Sequence, residues 1–309
     1  MSYVALITGA TSGIGEATAR RVAEHGGGDQ VQLVLVARRE ERLRALAAEL
    51  PGNPTVIATD LTDPAAPALI ADTVQREHGA LHLLVNNAGA RWSTSFEQGG
   101  WENVERHMQV NFEAPVRLIE ALLPLLFRTV AQAAAPAAAP TAAPTAAPAA
   151  AQTAAPAAAQ IPSFARAAGQ RTSSSAAAVA IVNVSSTSGR LARRGTGGYA
   201  ASKFALAGWS DALALELAPQ GIHVGLVLPG FIATEGFPQA ELREKVLTRW
   251  LVADASVVAD AILDAGPGGR SERYAPRYYW LFAATRIVAP ALLRKVMNRG
   301  TFTTTTRSR

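Results

Sequence analysis

The chain of 309 residues contains no cysteine. Disulfides, zinc–thiolate sites and thiol nucleophiles are therefore excluded. Its five histidines, His25, His78, His82, His107 and His223, fall in no metal-ligand spacing, so no metal is expected and these rings read as structural or exposed. The first strand-like run, Tyr3–Thr8, begins almost at Met1, leaving no room for a signal or transit peptide. A cytoplasmic location is the expectation. The C-terminal run YYWLFAATRIVAPALLRKVM (278–297) is too short to span a bilayer and is interrupted by Arg286 and Pro290.

Charge is sparse, at 17% of residues against 49% hydrophobic, an ordinary globular balance. The net +5 is concentrated in residues 270–309, where nine arginines and lysines face one glutamate, so the remainder is close to neutral at −3. This basic stretch is not interleaved with any nucleic-acid module, and no nucleic-acid partner is expected. The first expectation for its helix is packing as a cap over the ligand end or onto a partner subunit. Peripheral contact with a membrane surface comes second. Thr301–Arg309 reads as a disordered tail.

Large apolar residues are almost missing from one internal stretch. Of residues 131–160, 24 are Ala or Pro, and the bias continues to about Ala177. Alanine favours helix, but a proline every four residues or so breaks each turn. Residues 131–177 are therefore read as a disordered or partly polyproline insert that builds no core. Without it about 260 residues remain, which is one domain. The expected organisation is a domain over 1–275, interrupted by the insert 131–177, then a basic C-terminal helix and tail over 276–309.

Continuous apolar runs alternate with helical patterns along the rest of the chain. Strands are expected at 3–8, 31–37, 55–60, 81–86, 178–186 and 222–230, with a last short one at 272–275. Helices are expected at 14–25, 39–50, 64–78 (capped by Asp63 before Pro64), within 101–128, at 199–217 and at 253–265. Such runs indicate a parallel sheet covered on both faces. Right-handed βα units then give a doubly wound α/β fold of the Rossmann type, in three αβα layers and a single domain. Ligands bind at the carboxyl ends of such strands. The glycine-rich turn, Asn86-Asn87, Ser186 and Pro229-Gly230 all fall there.

Thr8-Gly9-Ala10-Thr11-Ser12-Gly13-Ile14-Gly15 joins the first strand to the first helix. Glycines let the backbone approach a pyrophosphate, and the helix N-terminus supplies N–H groups. The turn has no lysine, so it is not a P-loop. The second strand ends Val36-Ala37-Arg38-Arg39, with Ala37 where a ribose-reading acid would stand. Two arginines there suit a 2′-phosphate and favour NADP(H) over NAD(H), with Arg38 the preferred ligand.

Tyr199 and Lys203 are four residues apart, on one helix face. An ammonium beside a phenol favours the phenolate, and a hydroxyl such as Ser186 can hold a substrate oxygen within reach. Together they make an acid–base device for a carbonyl or an alcohol.

With these motifs in order, the chain resembles the short-chain dehydrogenase/reductase family in its single-domain form, over roughly residues 3–130 and 178–265. TGATSGIG (8–15) matches the family's TGxxxGxG cofactor turn. Asp60-Leu61 matches the pair set against the adenine ring. NNAG (86–89) matches the turn after the fourth strand, with Asn87 near the adenosine and Ala88 and Gly89 also cofactor-binding. Tyr199 and Lys203 complete YxxxK. PGFIAT (229–234) matches the segment that meets the nicotinamide carboxamide through Pro229, Gly230, the Ile232 backbone and Thr234. Ser185 rivals Ser186, but the family's serine stands three residues before a glycine, and Gly189 selects Ser186.

The resemblance implies hydride transfer between a nicotinamide and a carbonyl or secondary alcohol. Tyr199 would be the general acid/base, Lys203 would assist it and hold the ribose, Ser186 would orient the substrate oxygen, and Asn111 would hold a relay water. A homodimer or homotetramer is implied too. A regulatory nucleotide-binding protein on the same fold is the alternative, but such proteins usually lack the Tyr or Lys that this chain keeps. Phe237, Val246, Leu247 and Trp250, with Trp92 and Phe96 nearby, suggest an apolar pocket for a lipophilic small molecule.

Overall fold

Seven of the expected apolar runs pair into one parallel sheet in the computed structural model, which describes residues 2–25, 30–135, 177–235, 249–291, 293 and 295. The strands are β1 (Tyr3–Thr8), β2 (Val31–Ala37), β3 (Thr55–Ala58), β4 (Leu83–Asn86), β5 (Ala180–Val184) and β6 (His223–Pro229). Two short strands, β7 (Phe231–Ala233) and β8 (Val252–Asp254), form a separate parallel pair, and β9 (Glu272–Ala275) completes the main sheet. The order is β3-β2-β1-β4-β5-β6-β9, every neighbour parallel. The chain runs outward from β1 to β3, then returns to place β4 on the other side of β1. That reversal opens a crevice at the carboxyl ends of β1 and β4.

Helices cover both faces: α1 (Gly13–His25), α2 (Glu40–Glu49), α3 (Ala66–Glu77), α4 (Phe96–Met108), α5 (Ala114–Ala134), α6 (Gly197–Leu217) and α7 (Ala255–Ala265), with α8 (Tyr279–Val288) at the end. Alternation along β1 divides the core. Ala5 and Ile7 join Val22 of α1 and Ile262 of α7, whereas Val4 and Leu6 join Leu118 and Leu122 of α5. Both faces are apolar because both are buried, which is why the strands read as unbroken hydrophobic runs.

Element boundaries shift in three informative places. Asp63 does not cap α3. Its Oδ1 accepts the Ala65 amide at 2.9 Å in a tight turn, and the helix begins after Ala65. The helical stretch expected within 101–128 is two helices joined by a π-helical turn, Gln109–Glu113, which carries Asn111. Helix α5 runs on past residue 131, to Ala134, and Ala135 closes it by donating to the Ala131 carbonyl at 3.1 Å. No proline interrupts 125–135, so alanine propensity prevails until Pro136. The remainder of the proposed insert, 136–176, lies outside the described residues, as does the tail 301–309.

The described ends of that segment sit at the amino edge of the sheet. Near the end of α5, the Thr129 hydroxyl accepts the Leu81 amide at 2.9 Å, just before β4. Ala177, ahead of β5, donates to the Pro267 carbonyl at 3.1 Å. Among the described residues, no helix is long and apolar enough to cross a membrane.

The amino edge also holds a half-buried imidazole. His82 Nδ1 accepts the Val4 amide at 3.1 Å and its ring stacks on Tyr3. Burial pushes its pKa down to about 4. The native ring therefore stays neutral while an unfolded chain takes up a proton below about pH 6.5. The associated stability is fully present above that value and is lost as pH falls towards 4. We expect urea stability to drop between pH 7 and 4.5, with His82 contributing up to about 3 kcal/mol. His82→Asn keeps an acceptor that does not titrate and should flatten the slope; an unchanged slope in that variant would assign the effect elsewhere.

Candidate active site

The turn after β1 is held by one hydroxyl. Thr8 Oγ1 donates to the Val85 carbonyl at 3.2 Å and accepts the amides of Asn87 and Ala88, each at 3.0 Å. Asn87 Nδ2 returns a bond to the Thr8 carbonyl at 2.9 Å. The NNAG loop is thereby laced to the glycine-rich turn. Close approach explains two of the glycines. A Cβ on Gly15 would lie 2.1 Å from the Gly9 carbonyl oxygen, so α1 sits directly on the turn. Gly13 has φ +54 and faces Thr234, which a Cβ would meet at 2.7 Å. These are cradles of the kind a dinucleotide phosphate needs.

At the rim of this turn, Arg39 Nη2 donates to Thr11 Oγ1 at 3.4 Å, and Arg38 lies 3.8 Å from Asp60. Asp60 accepts the Thr62 amide at 3.0 Å and the Thr62 hydroxyl at 2.8 Å, which, led by the amide, lowers its pKa.

Across the crevice, β5 ends in Ser185-Ser186. Ser185 Oγ donates to the Lys203 carbonyl at 2.9 Å and so serves as a brace for α6. Ser186 Oγ accepts the Ser188 amide at 3.0 Å, capping the 3-10 turn Thr187–Gly189. A hydroxyl that accepts one bond still has its hydrogen to offer to an oxygen in the cavity. Gly189 packs against α6 so tightly that a Cβ would stand 2.6 Å from the Lys203 carbonyl oxygen. This is the physical content of the Ser–Gly spacing.

Lys203 is 3% exposed, and its Nζ donates to the Val184 carbonyl at 2.9 Å. Burial lowers its pKa to about 8, which leaves it mostly charged at neutral pH. Its helix is anchored by a buried chain: Asn86 Nδ2 donates to Asn183 Oδ1, and Asn183 Nδ2 to Ser210 Oγ, both at 2.9 Å.

Asn111 stands behind the crevice wall. Its Nδ2 donates to the Ala90 carbonyl at 2.9 Å and to Ser202 Oγ at 3.1 Å, and its Oδ1 accepts the Ala90 amide at 2.9 Å. It reaches Lys203 only across Gly89, which adjoins both side chains. His107, of α4, has a defined tautomer. Nε2 accepts the Trp92 amide at 3.0 Å, so Nδ1 carries the hydrogen and donates to the Asn103 carbonyl at 2.6 Å. The edge of this neutral ring meets Tyr199 at 6.0 Å between centroids.

A single cavity of about 930 Å³ connects the two sides. Every residue expected at the site lines it except Gly15, which is packed beneath the turn, and Asn111. The ligand-end expectations fare unevenly. Trp92 lines the cavity, but Phe96 is 77% exposed at the capped start of α4, and Trp250 lies outside, stacked on Phe282. Phe237, Val246 and Leu247 fall outside the described residues.

The wall instead contains Leu191, Phe231, Leu251, Tyr279 and Phe282, together with Arg91, Arg106 and Arg193. Helix α8 closes this end. Tyr279 donates to the Leu251 carbonyl at 2.7 Å, and Arg286 to the Arg190 carbonyl at 3.0 Å. The doublet Arg193-Arg194, just ahead of Tyr199, was the one sequence signal for this cationic wall.

The family model described as short chain dehydrogenase matches residues 3–134 and 166–245. A protein assigned as ketoacyl reductase 1 of the granaticin polyketide synthase of Streptomyces violaceoruber is 32% identical over 272 residues, covering 86% of this chain and 80% of that one. The oxidoreductase UcpA of Escherichia coli K12 is 30% identical over 241 residues, covering 77% and 71%. A solved structure of a short-chain dehydrogenase from Streptomyces avermitilis superposes with a TM-score of 0.65 at 26% identity, covering 97% and 98%.

The glycine packing can be checked on stability alone. Gly15→Ala should cost about 1–3 kcal/mol, since backbone must move. Gly208→Ala, exposed on α6 with nothing within 4 Å of a new Cβ, should gain about 0.5–1 kcal/mol. Denaturant titration of both variants measures the contrast; equal effects would remove the close approach of α1 as the reason for Gly15.

Proposed function

The chain belongs to the short-chain dehydrogenase/reductase family, and from that premise we propose an NADP(H)-dependent oxidoreductase that interconverts a carbonyl and a secondary alcohol on a lipophilic small molecule. The observation that carries this reading is the shared cavity. Ser186, Tyr199 and Lys203 line the same space as the glycine-rich turn, Arg38 and Arg39.

The glycine cradle at Gly9 and Gly13, with the N-terminus of α1, fits a pyrophosphate. Arg38 and Arg39 fit a 2′-phosphate, and Asp60-Leu61 with Asn87–Gly89 fit the adenosine. Pro229, Gly230, Ile232 and Thr234 fit the nicotinamide end. A nicotinamide cofactor supplies the hydride chemistry when bound.

The chain's own residues do the proton work. Ser186 donates its hydroxyl hydrogen to the substrate oxygen and orients it. Tyr199 gives a proton to that oxygen in reduction and removes it in oxidation. Lys203, held by Val184 and charged at neutral pH, lines the cavity one helical turn after Tyr199 and would hold the ribose hydroxyls. Asn111 acts through position: by gripping Ala90 from both sides and bonding to Ser202, it sets the loop after β4 against α6. Trp92, Leu191, Phe231, Leu251 and Phe282 supply apolar walls for the substrate's hydrocarbon.

Two substitutions test the reading. Tyr199→Phe should abolish NADPH-dependent carbonyl reduction, measured at 340 nm across a panel of aldehydes and ketones, while cofactor binding persists. Most of the activity surviving in that variant would sink the mechanism. Arg38→Ala should raise the KM for NADPH about tenfold or more, the worth of a charge-assisted contact, with little change for NADH. Equal effects on both cofactors would overturn the NADP(H) preference.

A further inference from the structure

We propose that the substrate is an oxo acid or hydroxy acid whose carboxylate is received by the Arg193 guanidinium, with Arg91 adjoining, beside Tyr199. This deepens the oxidoreductase reading above and rests on it.

Arg193 lies in the loop between the 3-10 turn after β5 and α6, and it lines the cavity. Its guanidinium carbon is 4.7 Å from the centre of the Phe231 ring. Its Nη1 is buried and has no hydrogen-bond partner among the described residues. A buried donor left without an acceptor is costly, more so when charged. Such a group in a settled structure calls for a partner that arrives from elsewhere.

The described surroundings do not offset the charge of Arg193. Burial, then the like charge of Arg91, pushes the Arg193 pKa down to about 10, against a smaller opposing influence from Tyr199 and Tyr279. It remains protonated at neutral pH. The Arg91 guanidinium carbon stands 5.9 Å from the centre of the Tyr199 ring. Arg106 adds a third cation to the same wall, 3.7 Å over Trp92. Among the described residues lining the cavity there is one acid, Asp60, and it sits at the opposite end beside Arg38.

A neutral ketone would leave the buried Arg193 Nη1 without a charged acceptor among the described residues. A carboxylate would supply two acceptor oxygens to a guanidinium fork in a poorly solvated place, where such pairs are strongest. The distance between carboxylate and reacting carbon is set by the cations lying beside the tyrosine itself. Arg91 is over the Tyr199 ring and Arg193 lines the same cavity, so a spacer of a few carbons is accommodated. The apolar wall then takes the rest of the chain. The substrate so described is amphipathic: hydrocarbon against Trp92 and Phe282, anion against Arg193.

The full-length enzyme with NADPH decides this with matched pairs, the 2-oxo and 4-oxo acids of five to eight carbons and their methyl esters. The acids should exceed their esters by about tenfold or more in kcat/KM, mainly through KM. Arg193→Met should bring that ratio towards one, and Arg193→Lys should restore part of it. Esters used as well as acids by the wild type would overturn the carboxylate assignment and leave the oxidoreductase reading standing. An acid preference unchanged in Arg193→Met would overturn the role of Arg193. Turnover of neither series, with NADPH bound, would count against the oxidoreductase reading and the assignment together. A ketone bearing a phosphate, preferred over both series, would also overturn it. Should Arg193→Met fail to bind NADPH, the Arg193→Lys ratio against wild type takes its place.

Discussion

One threonine hydroxyl holds the carboxyl edge of the sheet in register for ligand. Thr8 ends β1, yet its Oγ1 is bonded to Val85 in β4 and to Asn87 and Ala88 in the loop that follows it. Two strands that are distant in sequence and adjacent in the sheet therefore present their loops as a single surface. The chain reverses direction between these same strands, so the crevice that the topology opens is also the place that this hydroxyl stiffens. Gly15 seated on the Gly9 carbonyl belongs to the same arrangement, because α1 follows wherever the turn is held.

The Ser186–Tyr199–Lys203 side of the cavity depends on a second set of tethers. The Ser185 hydroxyl, the backbone contact at Gly189 and the Asn86–Asn183–Ser210 chain all fix α6 against β5. Each bond is buried, where an unmet polar group would cost about 1–3 kcal/mol, so the helix has few alternative positions. Lys203 pays for that precision with desolvation, and its ammonium is kept in place by the Val184 carbonyl. Serine, tyrosine and lysine thus occupy fixed places because the residues beside them are fully bonded.

Much of this was legible in the sequence for a physical reason. Strands buried on both faces produce runs such as VQLVLVA that no other environment favours, and a Gly-rich turn or a Tyr–Lys pair encodes its geometry within a few residues. Legibility failed where two long-range surfaces meet. Arg91 follows β4 and Arg193 follows β5, and they come together only because α4 packs on α6; no local spacing records that. Phe96 and Trp250 looked like pocket residues because they are large and apolar, but the Ser95 cap turns Phe96 outward and Trp250 stacks on α8. Helix α5 runs six residues past Arg128 because residues 125–135 contain no proline, although proline density is high over the insert as a whole.

The junction between Ala135 and Ala177 has a consequence for comparing chains of this kind. Both of its described ends lie at the edge of the sheet opposite the crevice. The family model itself passes from residue 134 to residue 166 across it. Length added at this point enters the chain from the edge opposite the ligand-facing strand ends. Overall length is therefore a poor guide to kinship among chains that differ at this junction.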